Sequence, residues 1–190
     1  MGASLITLQD YKNYENITGT GQDVQISSII PKVSEFVKGI CRRTFVDWID
    51  EQKTEVFSGG PYLVPAEIPI IQISSFEKST NYGQSYTSLT EFTDWVLDRE
   101  NQVILPINSL KTFENFINGY RLVYNAGYET LPEDLKLATL DLVTYYLKHE
   151  GAIHSQIAVT TGNAQVQYIY QSNLPTHIKR VLDLYVMNYN

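Results

Sequence analysis

Histidines and acidic residues near the C-terminus are the first candidates for chemistry in this 190-residue chain. His149, Glu150 and His154 are of the types that bind zinc, and they lie close together in sequence. The two histidines are five residues apart, so on a continuous helix they point to different faces and lack the spacing of a His-x-x-x-His zinc motif. We therefore predict solvated side chains near a helix end, no metal site and no cofactor.

Nucleophilic catalysis and phosphate binding have little support in the sequence. Cys41 ends an apolar segment and precedes Arg42 and Arg43, whose charges would lower the pKa of its thiol. No histidine is near Cys41 in sequence, so we predict that this side chain is buried and inert. The segment Gly19-Thr20-Gly21 lacks the lysine and hydroxyl residue of a P-loop and is typical of a turn that enters a helix.

Carboxylates beside tryptophan are the remaining chemical signal, since such pairs occur in glycosidases and sugar-binding sites. Asp94 and Asp98 flank Trp95, and Trp48 stands among the acidic residues Asp47, Asp50 and Glu51. On the expected strand, Asp94 and Asp98 are about 13 Å apart, too far for either hydrolytic geometry. A pair assembled from separate loops stays open. We predict no catalytic residues.

Composition excludes several other classes of protein. Hydrophobic residues make up 43% of the chain, which indicates a globular protein. The formal net charge of −7 argues against sequence-specific binding of nucleic acid and against adhesion to anionic membranes. The single cysteine excludes an internal disulfide, and we expect neither a signal peptide nor a membrane span.

Tyrosine is unusually frequent, with 14 residues against seven phenylalanines and two tryptophans. This side chain joins a large apolar area to a polar tip and is enriched at protein interfaces. We assign most of these tyrosines to the edges of a β-rich core and the rest to contacts between subunits.

Two helices are predicted before residue 45. The sequence Thr7-Leu8-Gln9-Asp10 is a capping signature and predicts a short helix through about Asn16. A second helix, capped by Asp23, carries an apolar stripe that ends at Ile40. Pro31 lies inside this stripe, where we expect a kink.

Two further helices are predicted toward the C-terminus. Pro132 and the two acidic residues after it begin a helix that Gly151 is expected to end. The last helix, 174–188, has an apolar stripe made of Leu174, Ile178, Val181, Leu182 and Tyr185. Between these helices, a β-hairpin is predicted over 157–170.

The middle third of the chain is predicted to be β-structure. Ser58-Gly59-Gly60-Pro61 separates two apolar segments and predicts a hairpin, and 80–90 is predicted to be a surface loop or hairpin tip. The other predicted strands are Ile68–Phe76, Phe92–Leu97 with Val103–Leu105 as a second hairpin, and Tyr120–Tyr124. We expect one α+β domain over 1–190, mainly a helical bundle with a central small antiparallel sheet.

Six short motifs follow one another along the chain: Thr7–Lys12, Ile40–Phe45, Phe57–Pro61, Ile68–Ile73, Leu122–Ala138 and Leu174–Pro175. The fifth is the most specific, because a strand ends in Tyr124, Ala126, Gly127 and Tyr128 and leads into a helix opened by Pro132. We expect Gly127 to need a positive φ at this turn. The motifs and their order resemble the tailed-phage head–tail connector proteins, also called adaptor or head-completion proteins.

The resemblance implies a structural virion protein and not an enzyme. Copies would form a ring, dodecameric in the virion, that lies below the portal, connects head to tail and extends the DNA channel. The implied partners are other copies of the chain, the portal protein and the next neck or tail-completion protein, with viral DNA passing through without sequence-specific binding. The implied location is the head–tail interface, after assembly in the cytoplasm of the bacterial host.

The resemblance also implies that the C-terminal helix meets the portal. The expected docking residues are Leu174, His177, Lys179, Arg180, Tyr185 and Tyr189, three of which form a basic cluster in an acidic chain. The alternative is that the apolar stripe of this helix packs on its own domain. For the function, the alternatives are another ring of the neck or tail, such as a stopper or tail terminator, and a small carbohydrate-binding or hydrolytic module.

Overall fold

The computed structural model describes residues 2–107, 112–154 and 174–187, with the backbone alone described at 149–154. These residues form two compact units. The helical unit is drawn from Met1–Arg42 and Leu131–Asn190, and the β unit spans Arg43–Thr130. The prediction of an α+β fold is confirmed. The expectation of a mainly helical bundle is not, because the β unit has strands and a core of its own.

The described part of the helical unit contains four helices: α1 Leu8–Tyr14, α2 Asp23–Cys41, α3 Glu133–His154 and α4 Thr176–Tyr185. The predicted capping box of α1 is present, because Thr7 and Asp10 each accept a hydrogen bond from the other's backbone N–H. Asp23 is the first residue of α2 and not its cap, and its carboxylate accepts hydrogen bonds from Lys12. Pro31 lies inside the continuous α2.

The core of the helical unit joins the apolar faces of its helices. Ile26, Ile30, Val33 and Val37 of α2 are buried, as predicted, and so is the α3 stripe of Leu135, Ala138 and Leu142. Phe36 is only half-buried, because it lies at the edge of the α2 stripe with its ring against that of Tyr146. The helical pattern therefore predicts which residues face the core, but not how deeply the outermost ones are buried.

The described residues of the β unit form six strands in two antiparallel sheets: β1 Trp48–Phe57, β2 Ile70–Lys78, β3 Thr87–Ser88, β4 Trp95–Asp98, β5 Val103–Pro106 and β6 Tyr120–Ala126. The larger sheet has the order β1-β6-β2-β3, and the smaller one pairs β4 with β5. Alternate residues of β6, from Tyr120 to Ala126, are buried in one aromatic-rich core. This core also holds Phe76, Trp95 and Phe113.

Several boundaries predicted from the sequence differ from the structure. Within the described residues, the hairpin predicted around Gly59 and Gly60 is absent. Strand β1 pairs instead with the distant β6, and the segment after the turn forms an isolated bridge from Leu63 to Ile104. Gly151 does not end α3, which continues to His154. The predicted β4–β5 hairpin is confirmed. The predicted hairpin at 157–170 lies outside the described residues.

Candidate functional site

The C-terminal helix α4, the predicted docking element, has a buried face and an exposed face. It packs against α3 and α2 of the helical unit. Ile178 and Leu182, one turn apart, are 1% and 0% exposed. Leu174, Val181 and Tyr185, the other residues of the predicted stripe, are half-buried. The apolar stripe of α4 therefore packs within its own unit.

Polar contacts also hold α4 against the rest of the helical unit, in addition to the packing of its apolar stripe. The backbone N–H of Met187 donates to the carbonyl oxygen of Cys41 at 3.0 Å, just beyond the end of α4. The fully buried thiol of Cys41 lies 3.7 Å from the carbonyl oxygen of Leu182. The Tyr185 hydroxyl donates to the carboxylate of Asp134, at the start of α3, at 2.6 Å. These contacts position α4 from both α2 and α3.

The exposed face of α4 carries the predicted basic cluster. His177, Lys179 and Arg180 are all exposed, and Nε2 of His177 lies 3.6 Å from an oxygen of Asp141. Helical periodicity places His177 and Arg180 on one side together with Leu184, which is 76% exposed. Leu184 is apolar and lies outside the buried stripe, so the sequence indicates an exposed apolar residue here. It was not among the predicted docking residues.

The structure thus divides the six predicted docking residues. Three are accessible on the exposed face, while Leu174 and Tyr185 are half-buried within the helical unit. Tyr189 lies outside the described residues. The accessible part of the predicted site is therefore cationic, with Leu184 as its apolar component.

The motif that ends β6 is built around a backbone turn. Gly127 has φ +129°, a conformation that residues with side chains rarely adopt, as predicted from the sequence. A Cβ atom at this position would lie 2.5 Å from the carbonyl oxygen of Phe45. The next residue, Tyr128, donates its N–H to that same oxygen at 2.7 Å. Ala126, the last residue of β6, pairs with both β1 and β2, so the turn leaves the centre of the sheet.

Tyr124 of the same motif lies in a buried polar network of the β unit. Its side chain is fully buried, and its hydroxyl accepts a hydrogen bond from the backbone N–H of Glu67 at 3.1 Å. The carboxylates of Glu55 and Glu67 both lie within 4 Å of the Lys53 ammonium. Burial and the neighbouring Glu55 charge raise the pKa of Tyr124 above its ordinary value. This network is a structural arrangement that holds β1, β6 and the segment before β2 together.

Pro132, the last residue of the predicted motif, opens the helical unit's α3. Its carbonyl oxygen accepts the backbone N–H of Lys136 at 2.9 Å, which closes the first turn of the helix. Proline is well suited to this place because it needs no hydrogen-bond partner for its nitrogen. The five motif residues therefore act on backbone geometry and packing.

The carboxylates beside tryptophan serve local turns. Asp94 accepts the backbone N–H of Thr90 at 2.7 Å. Asp98 accepts the backbone N–H groups of Glu100 and Asn101, which form the β4–β5 turn. These hydrogen bonds lower the pKa of Asp98, with the side-chain amide of Asn101 contributing most. The two carboxylates thus shape loops and do not converge on a common site.

Metal-ligating side chains do not cluster in the described part of the molecule, where no group of three or more occurs. The side chains of His149, Glu150 and His154 are not among those described, so the prediction that they bind no metal stays a prediction. Within the described part of the chain, no helix is both long and apolar enough to cross a bilayer.

Similar folds occur in gene transfer agent (GTA) particles. The neck of an empty GTA particle, computed with C6 symmetry, contains a chain with 13% identity and a TM-score of 0.58, aligned over 98% of this chain and 91% of that one. A chain of the native GTA virion has 11% identity and a TM-score of 0.60, with the same coverage. A chain of the native neck, computed with C12 symmetry, has 12% identity and a TM-score of 0.56 over 100% of this chain and 97% of that one.

At these identities, the structural likeness shows a shared fold. No curated protein matches the chain in sequence. The family described as "Head completion protein" matches residues 4–188, which is nearly the whole chain. The resemblance found in the ordered motifs is therefore confirmed: the chain belongs to the head completion protein family.

Proposed function

We propose that this head completion protein forms a ring directly below the portal, connects the head to the tail and extends the DNA channel. Family membership over residues 4–188 is the observation that carries this proposal. The similar folds in GTA necks computed with C6 and C12 symmetry support a ring, and we propose twelve copies in the virion. The proposed role is structural, without catalysis or a cofactor.

The charge of the chain suits a channel for DNA. Each copy carries a formal net charge of −7, so a ring of copies repels the phosphates of DNA and does not retain it. Viral DNA would pass without sequence-specific contacts, because such contacts depend on neutralisation of phosphates by lysine and arginine. The ring would assemble in the cytoplasm of the bacterial host. In the virion it would lie at the head–tail interface, where it offers a surface to the next neck protein.

We propose that the exposed face of α4 docks on the portal. Lys179 and Arg180 present positive charge there, His177 adds ring nitrogens that can form hydrogen bonds, and the exposed Leu184 and Asp183 lie beside them. The apolar stripe on the opposite side is occupied within the helical unit, so docking uses the outward face. A cationic face of this kind fits an acidic surface of the portal.

The test reverses the charge of that face without touching the buried stripe. The double substitution Lys179→Glu, Arg180→Glu should reduce co-sedimentation with purified portal about tenfold or more, because opposite charges become like charges. Lys32→Glu, at an exposed lysine of α2, is the matched control and should bind as the wild type does. Circular dichroism and thermal melting would confirm that all variants fold.

Two results would contradict the proposal in different ways. If the folded double variant binds the portal as the wild type does, α4 is not the docking element, but the proposed ring is not contradicted. A wild-type chain that forms no ring on the portal, as seen by electron microscopy and by mass, would contradict the proposed position in the neck.

A further inference from the structure

The turn that leads into β6 contains a chemically reactive pair of residues. Asn118 is followed by Gly119, and no other asparagine in the chain precedes a glycine. In such a pair the backbone nitrogen of the glycine can attack the side-chain amide carbon of the asparagine, because the glycine has no side chain that hinders the approach. Asn118 is also exposed, so water has access to it. The sequence at this turn is therefore prone to spontaneous deamidation.

The shape of the turn explains why both residues are present. Asn118 has φ +53°, a left-handed conformation that asparagine adopts more readily than most residues with a side chain. A Cβ atom at Gly119 would lie 2.8 Å from both the Cβ atom and the carbonyl oxygen of Phe116, so a larger residue would clash there. The backbone thus favours a reactive pair for structural reasons.

Deamidation requires one peptide unit to turn. The nitrogen of Gly119 must give up its proton and form a bond to Cγ of Asn118, while the side-chain amide takes up a proton and leaves as ammonia. Water then opens the resulting succinimide ring to aspartate or isoaspartate. Because a peptide unit is planar, the carbonyl of Asn118 and the N–H of Gly119 can only turn together.

Both ends of this peptide unit are held by hydrogen bonds. The N–H of Gly119 donates to the carbonyl oxygen of Phe116 at 2.9 Å, and the hydroxyl of Tyr86 donates to the carbonyl oxygen of Asn118 at 3.2 Å. Gly83 packs so closely here that a Cβ atom on it would lie 3.1 Å from the Cβ of Asn118. The attack on Cγ therefore has to break two hydrogen bonds in a packed turn.

The segment after β2 holds the turn from its other side. The backbone N–H of Ser79, a residue that is 1% exposed, donates to the carbonyl oxygen of Gly119 at 2.7 Å. The ring of Tyr86 lies against the guanidinium group of Arg121, whose central carbon is 4.1 Å from the ring centroid. This contact positions the hydroxyl that reaches Asn118. The segment 80–90, predicted from the sequence as a surface loop or hairpin tip, thus anchors the turn before β6.

We infer that Asn118 is a latent deamidation site, which the folded turn and the Tyr86 hydroxyl keep unreacted. This inference concerns the β unit alone and does not depend on the proposed ring. Conversion would place a carboxylate in an uncharged turn, and isoaspartate would add one atom to the backbone between the two hydrogen bonds.

The first test compares the folded chain with the chain unfolded in guanidinium chloride, at the same temperature and at about pH 8. Peptide mass spectrometry measures aspartate and isoaspartate at position 118 over time. We expect the folded chain to react about tenfold more slowly or less, because reaction has to wait for local opening of the turn. Asn118→Gly keeps the left-handed conformation and should give no product at this position. Equal rates in the folded and unfolded chains would overturn the inference.

The second test removes one of the two hydrogen bonds. Tyr86→Phe keeps the ring against Arg121 but loses the donor, so the folded variant should react about two to ten times faster than the wild type. Tyr82→Phe is the matched control, because Tyr82 lies in the same loop and is 69% exposed. Circular dichroism would confirm that both variants fold. If folded Tyr86→Phe and Tyr82→Phe react at the same rate, the hydroxyl does not restrain the peptide unit and the inference is overturned.

Discussion

Both units contain an apolar core and ion pairs, but the core of the helical unit is mainly aliphatic, whereas that of the β unit is rich in aromatic rings. In the helical unit, charged and hydroxyl groups join separate helices: Lys12 to Asp23 at 2.9 Å and Lys136 to Asp10 at 2.8 Å. In the β unit, rings pack on rings, with Phe76 as the common neighbour of Trp95, Phe113 and Tyr120. The stability that buried aromatic rings contribute depends little on pH and salt, whereas the contribution of partly exposed ion pairs depends on both.

The difference extends to tyrosine, the residue that is most over-represented in the chain. In the helical unit, Tyr14 and Tyr185 donate hydrogen bonds to the aspartates of α3 at 2.6 Å. In the β unit, Tyr120 and Tyr124 are fully buried in the core. These four tyrosines thus join helices near the surface in one unit and fill the interior in the other, so the composition alone does not distinguish the two uses.

The largest expected effect is at the centre of the β unit. Phe76→Ala should lower the free energy of unfolding by about 3–5 kcal/mol, since it removes a ring that is 2% exposed and has three aromatic neighbours. Phe36→Ala in α2 should cost clearly less, because Phe36 is half-buried. Urea denaturation of both variants measures the difference, and equal losses would contradict this contrast between the units.

Local signals in the sequence were sufficient for elements whose contacts are local. The capping box at Thr7 and Asp10 and the β4–β5 hairpin involve residues close together in the chain. Gly127 could also be predicted, because a strand followed by a proline-initiated helix needs a turn that glycine supplies. In each case, the physical requirement was contained in a short segment.

Strand partners could not be predicted in the same way. Gly59 and Gly60 do form a turn with positive φ, but it directs the chain to a bridge with Phe113 and not back along β1. The partner of β1 is β6, which lies far away in sequence and is selected by burial of the common core. For the same reason, the apolar stripe of α4 was visible in the sequence, while its partner surface on α2 and α3 was not.

The second largest effect is expected at the turn that follows β6. Gly127→Ala should cost about 1–3 kcal/mol or more, because the new Cβ would meet the Phe45 carbonyl oxygen and φ is +129°. Gly39→Ala in α2 is the matched control. A Cβ atom at Gly39 would meet no atom within 4 Å beyond its own helix backbone and chain neighbours, so this change should stabilise the protein by about 0.5–1 kcal/mol. This account would be contradicted if Gly127→Ala and Gly39→Ala shifted the melting temperature in the same direction.

The smallest effect tests the polar contacts of the helical unit. Asp10→Asn replaces the carboxylate that accepts hydrogen bonds from the backbone and hydroxyl of Thr7 and from the Lys136 ammonium. We expect a loss of about 1 kcal/mol at pH 7, typical of a helix cap. Asp183→Asn, at an exposed aspartate of α4, is the control and should change the stability little.

The pH dependence of this loss separates an ionic contact from a packing effect. Partial burial alone would raise the pKa of Asp10, but hydrogen bonds from Lys136 and Thr7 and the charge of Lys136 outweigh it and lower the pKa from 3.8 to about 2. The unfolded chain therefore takes up a proton before the folded one does, and the stabilisation that is present above pH 4 is lost between about pH 4 and pH 2. Urea midpoints of the wild type and Asp10→Asn should converge over this interval. A difference between wild type and Asp10→Asn that persists unchanged at pH 2 would mean that the ionised carboxylate contributes nothing to holding α1 against α3.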